Sequence, residues 1–281
     1  MELWFTEKHT QGAGLSLKCK RTLYSHKSRF QQIDVLETEE FGRLLLLDGL
    51  VMTTERDEFF YHEMLVHPPM HYHGERVQSV LVIGGGDGGA VRELLRYPEI
   101  ERVILCEIDK EVVDVSKRFF PSISFALDDP KVEIKYADGS TILGEHKNDL
   151  DMIIIDSTDP IGAAKVLFTE RFYRSCRKAL KKNGILCAQS ESPIYHLSTI
   201  KEIKEALKAA GFPFLNFYIS PVPTYPGGLW SWVMAGCNDM KIQEKFQPLS
   251  KKTYDELKFF NLDILKGCIC LPNFFKKALS L

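Results

Sequence analysis

The chain is 281 residues long and 44% hydrophobic, with 36 basic and 38 acidic side chains that leave a formal charge of -2. It holds enough apolar material for one large domain and a smaller one without metal or disulfide support, and its near-balance of charge excludes a global field that would draw nucleic acid or an anionic membrane. Seven cysteines, at 19, 106, 176, 187, 237, 268 and 270, include no CxxC pair and point to a reduced, cytoplasmic setting.

The opening MELWFTEKHTQGAG is interrupted by charges, and no run of about 18 uncharged apolar residues follows, so neither a signal peptide nor a membrane span is expected. Leu15, Leu17 and Cys19 alternate with polar residues, Phe30 to Leu36 form a second extended run, and RLLLLDGLVMTT carries an Asp48-Gly49 turn. Residues 1–56 are therefore expected to form a small antiparallel β unit. From Asp57 the period becomes helical in DEFFYHEMLVH, where Phe60, Met64 and His67 share a face and Pro68-Pro69 are expected to stop the helix. This helix opens the second unit, 57–281.

After residue 76 the apolar strands VLVIG, VILCEID, VEIKYADG, MIIID and ILCAQSES alternate with the amphipathic stretches AVRELLRY, EVVDVSKRFF, FTERFYRSCRKALKK and STIKEIKEALKAAG. Such alternation predicts a parallel, doubly wound sheet. FLNFYISP and LWSWVMAGC, separated only by PVPTYPGG, are too close for a crossover and predict an antiparallel hairpin. The expected class is α/β. A mostly parallel Rossmann-like sheet ending in a hairpin is the arrangement of the adenosylmethionine-dependent transferases, here preceded by a small N-terminal antiparallel β domain.

In VLVIGGGDGGAVREL, Gly84, Gly86 and Gly89 have GxGxxG spacing directly between a strand and a helix, the context that motif requires. Glu107 ends the next strand, 21 residues after Gly86, where a carboxylate can accept from ribose hydroxyls. Together they indicate an adenosine-containing ligand, which dinucleotide and adenosylmethionine sites share. Asp87 separates the two. It stands inside the glycine turn, where a fixed carboxylate is unfavourable beside a pyrophosphate and favourable beside a sulfonium carrying an amine; as a helix N-cap it has a purely structural alternative. Asp138, in Ala137-Asp138-Gly139 after the third strand, could accept from an adenine amino group or serve only as an Asp-Gly turn residue.

The run MIIIDSTDPIG puts Asp156 and Asp159 on one loop beyond the fourth strand. With Asp87 they ring one crevice and suit a polycationic substrate. An ionised aspartate in hydrogen-bond reach can take the proton that keeps a primary amine from attacking carbon. Clustered acids can also hold a hard cation, but the turn after Asp159 supplies no further ligand. The spacing of His62 and His67 leaves them roughly 140° apart on a helix, so they do not converge on zinc. No metal site is expected. Tyr225, in the turn-rich PTYPGG, could edge a lid and attract ammonium over its ring, while Trp230 and Trp232 share a face and read as core or subunit contact.

These stretches carry a resemblance. FGRLLLLDGLVMTTERDEFFYHEMLVHPPM, VLVIGGGDGGAVREL, CEID, DSTDPIG with LFTERFY, PTYPGG and the terminal LPNF together resemble the spermidine synthases, the polyamine aminopropyltransferases, over nearly the whole chain. The resemblance implies decarboxylated S-adenosylmethionine as co-substrate with no prosthetic group, putrescine as the usual acceptor, spermidine and methylthioadenosine as products, and a homodimer or homotetramer. It implies Asp156 as proton acceptor, and Tyr61, His62, Asp87, Asp159 and Tyr225 beside the amine. It places Gln31, Gly84, Gly86, Glu107, Asp138, Gly139 and Ala163 at the nucleoside. Met52 stands where a glutamine is usual, Ala163 where a proline is, and Leu265 where a histidine is common, which bears on the acceptor: cadaverine or agmatine are alternatives. A methyltransferase would share the fold, but Asp87 would repel the carboxylate of its cofactor; a non-catalytic nucleoside-binding scaffold would have no use for an intact Asp156.

Overall fold

A computed structural model describes residues 2–74, 76–158, 162–240 and 249–281, without the side chains of 162–164. The first five strands form an antiparallel meander in chain order: β1 Leu3–Lys8, β2 Gly14–Lys27, β3 Gln32–Thr38, β4 Arg43–Leu47 and β5 Leu50–Thr54. β1 has no clean apolar alternation, with consecutive Leu3, Trp4 and Phe5 largely outside the core, which is why periodicity does not announce it. The β4–β5 turn needs two left-handed residues, and Asp48 (φ 50°) and Gly49 (φ 80°) supply them. The run of leucines in β4 is buried on both faces. Leu45 and Leu47 join Ile33 and Val35 against Val112, Val115 and Phe120 of the second unit, while Leu44 and Leu46 pack with Leu17 and Val51. That double burial joins the two sheets.

Helix α1 spans Glu58–His73 and contains Pro68 and Pro69, correcting the expectation that the prolines stop it. Pro68 has no N–H to give the carbonyl of Met64. Tyr218 replaces it, its hydroxyl donating to the Met64 carbonyl at 2.8 Å. The helix therefore continues until Gly74 caps it in the left-handed region.

The second sheet alternates strands and helices: β6 Ser79–Gly84, α2 Gly89–Leu94, β7 Arg102–Glu107, α3 Lys110–Phe119, β8 Val132–Tyr136, β9 Leu150–Asp156, a helix Glu170–Ala179, β10 Leu180–Gln189, a helix Leu197–Ala209, β11 Phe214–Pro221 and β12 Leu229–Gly236. Its order is β11-β12-β10-β9-β6-β7-β8. The pairs from β8 to β10 are parallel, and β12 lies antiparallel to both β10 and β11. Both faces are covered. Val82 and Ile154 pack toward α1 and α2, while Ile83 and Ile155 pack toward the helices Glu170–Ala179 and Leu197–Ala209, so the strands read as unbroken apolar runs. The order reverses between β6 and β9, which opens a crevice at their carboxyl ends. No helix among the described residues is long and apolar enough to cross a membrane.

Candidate active site

Strand register builds the site. β6 and β9 pair so that Gly84 lies opposite Asp156, and the Gly85 N–H donates to the Asp156 carbonyl at 2.8 Å. Gly84 is left-handed, at φ 81°, and a Cβ there would run into that carbonyl. The first glycine is therefore imposed by the neighbouring strand rather than by a ligand. Beyond this turn lies a cavity of about 350 Å³ whose wall combines Gln31, Leu47 and Met52 of the first unit with Tyr61, Gly84, Gly86, Asp87, Glu107, Asp138, Gly139, Asp156 and Tyr225 of the second.

One half of the cavity is lined by the polar side chains of Gln31, Glu107 and Asp138. Glu107 ends β7 and accepts from the Asp109 N–H at 2.9 Å. Burial pushes its carboxyl up to about 7 against the pull of its backbone donors. Gln31 is aimed by a residue that no sequence signal singles out: its Nε2 donates to Asp109 Oδ2 at 3.2 Å, and Ser28 Oγ donates to the same oxygen at 2.6 Å. Asp138 caps a short helix through the Ser140 N–H at 2.7 Å and also faces the cavity.

The other half is acidic. Tyr61 donates from its hydroxyl to Asp156 Oδ1 at 2.7 Å. Asp156 Oδ2 is buried and has no hydrogen-bond partner among the described residues. Burial first, and then the charge of Asp87, push the Asp156 carboxyl up to about 6. Asp87 faces two donors: the Gly89 N–H reaches Oδ1 at 2.8 Å and His62 Nε2 lies 3.3 Å from Oδ2. Burial alone would raise Asp87, but His62 outweighs it and holds the carboxyl below its ordinary value.

His62 is not part of the cavity wall. It stands behind Asp87, fully enclosed, with Nδ1 2.7 Å from Glu58 Oε2. Burial opposes its charge, yet Asp87 and Glu58 together hold the imidazole well above its ordinary value. Arg92 in turn forks onto Glu58, at 2.9 and 2.8 Å. The ligand atoms of His62, Asp87 and Asp156 lie within 4.8 Å of one another, and both ring nitrogens of His62 already face carboxylates, Nδ1 that of Glu58 and Nε2 that of Asp87. Asp159, the third acid of the expected ring, lies outside the described residues, as does the side chain of Ala163.

Tyr225 donates to the Met52 carbonyl at 2.6 Å, and its ring lies 5.5 Å from that of Tyr61. The Met52 contact is through backbone and uses no atom of the Met52 side chain. Trp230 packs edge-on to Tyr225 at 4.9 Å, and Trp232 lies 5.7 Å from Tyr61. Both indoles are core residues that back the two tyrosines.

Comparison with known proteins gives the family. Residues 58–245 match the spermine/spermidine synthase domain, and residues 3–55 match the spermidine synthase tetramerisation domain. The chain belongs to the spermine/spermidine synthase family. It is 45% identical over 280 residues to a polyamine aminopropyltransferase of Thermoanaerobacter pseudethanolicus, covering 98% of each chain. It is 42% identical over 284 residues to that of Shouchella clausii, covering 100% of both. A spermidine synthase solved in complex with the transition state analogue AdoDATO superposes with a TM-score of 0.92 at 38% identity, over 99% of this chain and 95% of that one. The Thermotoga maritima spermidine synthase gives 0.89 at 37% identity, over 99% and 94%. The chain is thus an enzyme of the polyamine aminopropyltransferase type. Both of its family domains contribute to one cavity, Gln31 and Met52 from the first and the acids and tyrosines from the second.

Proposed function

We propose that the enzyme transfers the aminopropyl group of decarboxylated S-adenosylmethionine to putrescine, giving spermidine and methylthioadenosine, with Asp156 as the proton acceptor. The observation that carries this reading is the pair of unlike carboxylates beside a nucleoside cradle: Asp87 held as an anion and Asp156 with one buried oxygen open. Glu107, Gln31 and Asp138 supply polar contacts for ribose and adenine, and the AdoDATO complex of a spermidine synthase supports an adenosyl co-substrate. Asp87 then faces the cationic end of the donor and the incoming ammonium.

In the transfer an N–H proton of the amine passes to Asp156 Oδ2, the freed electron pair forms the new C–N bond, and the C–S bond breaks with its pair left on sulfur. The remaining groups position: Tyr61 fixes Asp156, and the rings of Tyr61 and Tyr225 lie where they can face an ammonium. Asp159 and Ala163 keep the substrate and nucleoside roles that the resemblance implies. His62 acts on the amine through Asp87. A methyltransferase reading is disfavoured because the same two acids would repel the cofactor carboxylate.

The tetramerisation-domain match and the exposed Leu3 and Trp4 on the outer strand β1 support assembly through the first sheet, as a homodimer or homotetramer that sedimentation resolves. The seven unpaired cysteines support a cytoplasmic location. The deciding experiment pairs decarboxylated donor with putrescine, cadaverine and agmatine. Putrescine is expected to give the highest kcat/KM, and Asp156→Asn is expected to lose at least about a hundredfold in kcat while still binding methylthioadenosine. Comparable turnover in that variant removes Asp156 as the base.

A further inference from the structure

Behind the cavity runs a buried chain of alternating charge that nothing in the transfer chemistry calls for. Asp87 meets His62, His62 meets Glu58, and Glu58 takes the Arg92 fork. Arg92 Nε continues to Glu93 at 2.7 Å. Glu58 and His62 are one turn apart on α1, and Arg92 reaches them from α2, so two helices and the glycine turn converge on one imidazole. Among the described residues, the charged and titratable groups facing it are Glu58 and Tyr61 on its own helix, Asp87 from the turn, Arg92 through Glu58, and Asp156 from β9.

We propose that Glu58 and Arg92 are positioning residues that decide which of the two cavity carboxylates takes the proton, by locking His62 as a cation against Asp87 so that Asp87 stays an anion with both oxygens engaged while Asp156 keeps one oxygen open. This rests on the reading of Asp156 as acceptor. Two carboxylates sharing a site otherwise compete for one proton. With His62 neutral, Asp87 would lose the positive charge that outweighs its burial, and a proton would be shared between the acids instead of passing from the amine to one of them. The chain cannot conduct that proton onward, because a guanidinium does not give one up; it fixes charge and orientation.

The test is Glu58→Gln in the full-length enzyme. Side-chain nitrogen NMR of His62 in the unliganded protein is expected to show an imidazolium at pH 7.5 in the parent and a neutral ring in the variant. The acid limb of kcat against pH should move up by about one unit, so that activity falls about fivefold at pH 6 and about twofold at pH 7 and recovers toward the parent above pH 8.5. Glu58→Asp, which keeps the charge, should restore most of the activity at pH 7. Should Glu58→Gln fail to fold, Arg92→Lys, which keeps the charge but loses the fork, is read in the same way with a smaller shift. A His62 that keeps its proton in the variant, or a loss of activity equal at every pH, overturns the proposal. The NMR reading needs no turnover, so it stands apart from Asp156→Asn, whose full activity would defeat the acceptor assignment and leave the His62 measurement intact.

Discussion

Asp87 and Asp156 are the same side chain in two environments, and the difference between them is set by single neighbours. Asp87 has a cation 3.3 Å away and is held down; Asp156 has a neutral phenol at 2.7 Å and is pushed up to about 6 by burial and by Asp87 itself. As the proposed proton acceptor Asp156 must be ionised to act, so kcat/KM of the free enzyme should rise with pH through about 6 and level off above it. Tyr61→Phe removes the side-chain hydrogen-bond donor that Asp156 has among the described residues. That loss should move the limb upward by about one to two units and cost about two- to fifteenfold in kcat/KM at pH 7, since hydrogen bonds to charged groups contribute about 1.5–3 kcal/mol. A pH-rate profile of both proteins checks it, and an unmoved limb in Tyr61→Phe would show that the phenol does not tune Asp156.

At the scale of elements, the glycine turn serves packing as much as ligand approach. A Cβ on Gly89 would enter the His62 ring, so this glycine is the contact surface between α2 and α1. Gly89→Ala should tilt His62 off Asp87, cost about 1–3 kcal/mol of stability, and lower activity more than thermal loss alone explains. Thermal denaturation and turnover on one preparation measure both; parent-like activity would mean that His62 can shift without consequence. The turn, the Glu107 strand end and the Asp156 loop are legible from spacing alone, because a parallel sheet presents its strand ends at one edge and the residues there are of unusual type. Glu58 and Arg92 are not legible in that way. Glu58 and His62 form an i, i+4 pair visible in DEFFYH, but the pairing of Arg92 with Glu58 comes from two helices meeting, and only packing decides that. The prolines of α1 mislead for the same reason, since the hydroxyl that answers Met64 lies 154 residues away in sequence. β1 is missed because an outer strand with little burial leaves no alternation to read.

For the molecule as a whole, burying ionisable groups at and behind a cavity between two sheets makes folding depend on pH. His62 is raised well above 6.5, Glu107 rises from 4.5 to about 7, and Asp156 from 3.8 to about 6. In each case the native state holds a proton that the unfolded chain has given up, so these contributions favour folding at low pH and are lost as pH climbs through the folded values. His71, lowered to about 4, works in the opposite direction, but only below 6.5, where the unfolded imidazole is charged. Carboxyls held low, such as Asp87 and Glu58, are ionised in both states above pH 6 and add no slope there. Between pH 6.5 and 8 the groups at the site therefore act with one sign, and the unliganded enzyme should lose stability through both His62 and Glu107. Urea unfolding at fixed protein concentration across that range measures it, and Glu107→Gln should flatten the curve near pH 7. Methylthioadenosine should bind more tightly as pH rises through about 7, because ribose hydroxyls favour the ionised Glu107, so the stability gap between liganded and free enzyme should widen over the same interval. A stability that stays level or climbs from pH 6.5 to 8 would mean that the cavity acids and His62 titrate as they do in water, and the division of roles between Asp87 and Asp156 would lose its physical basis.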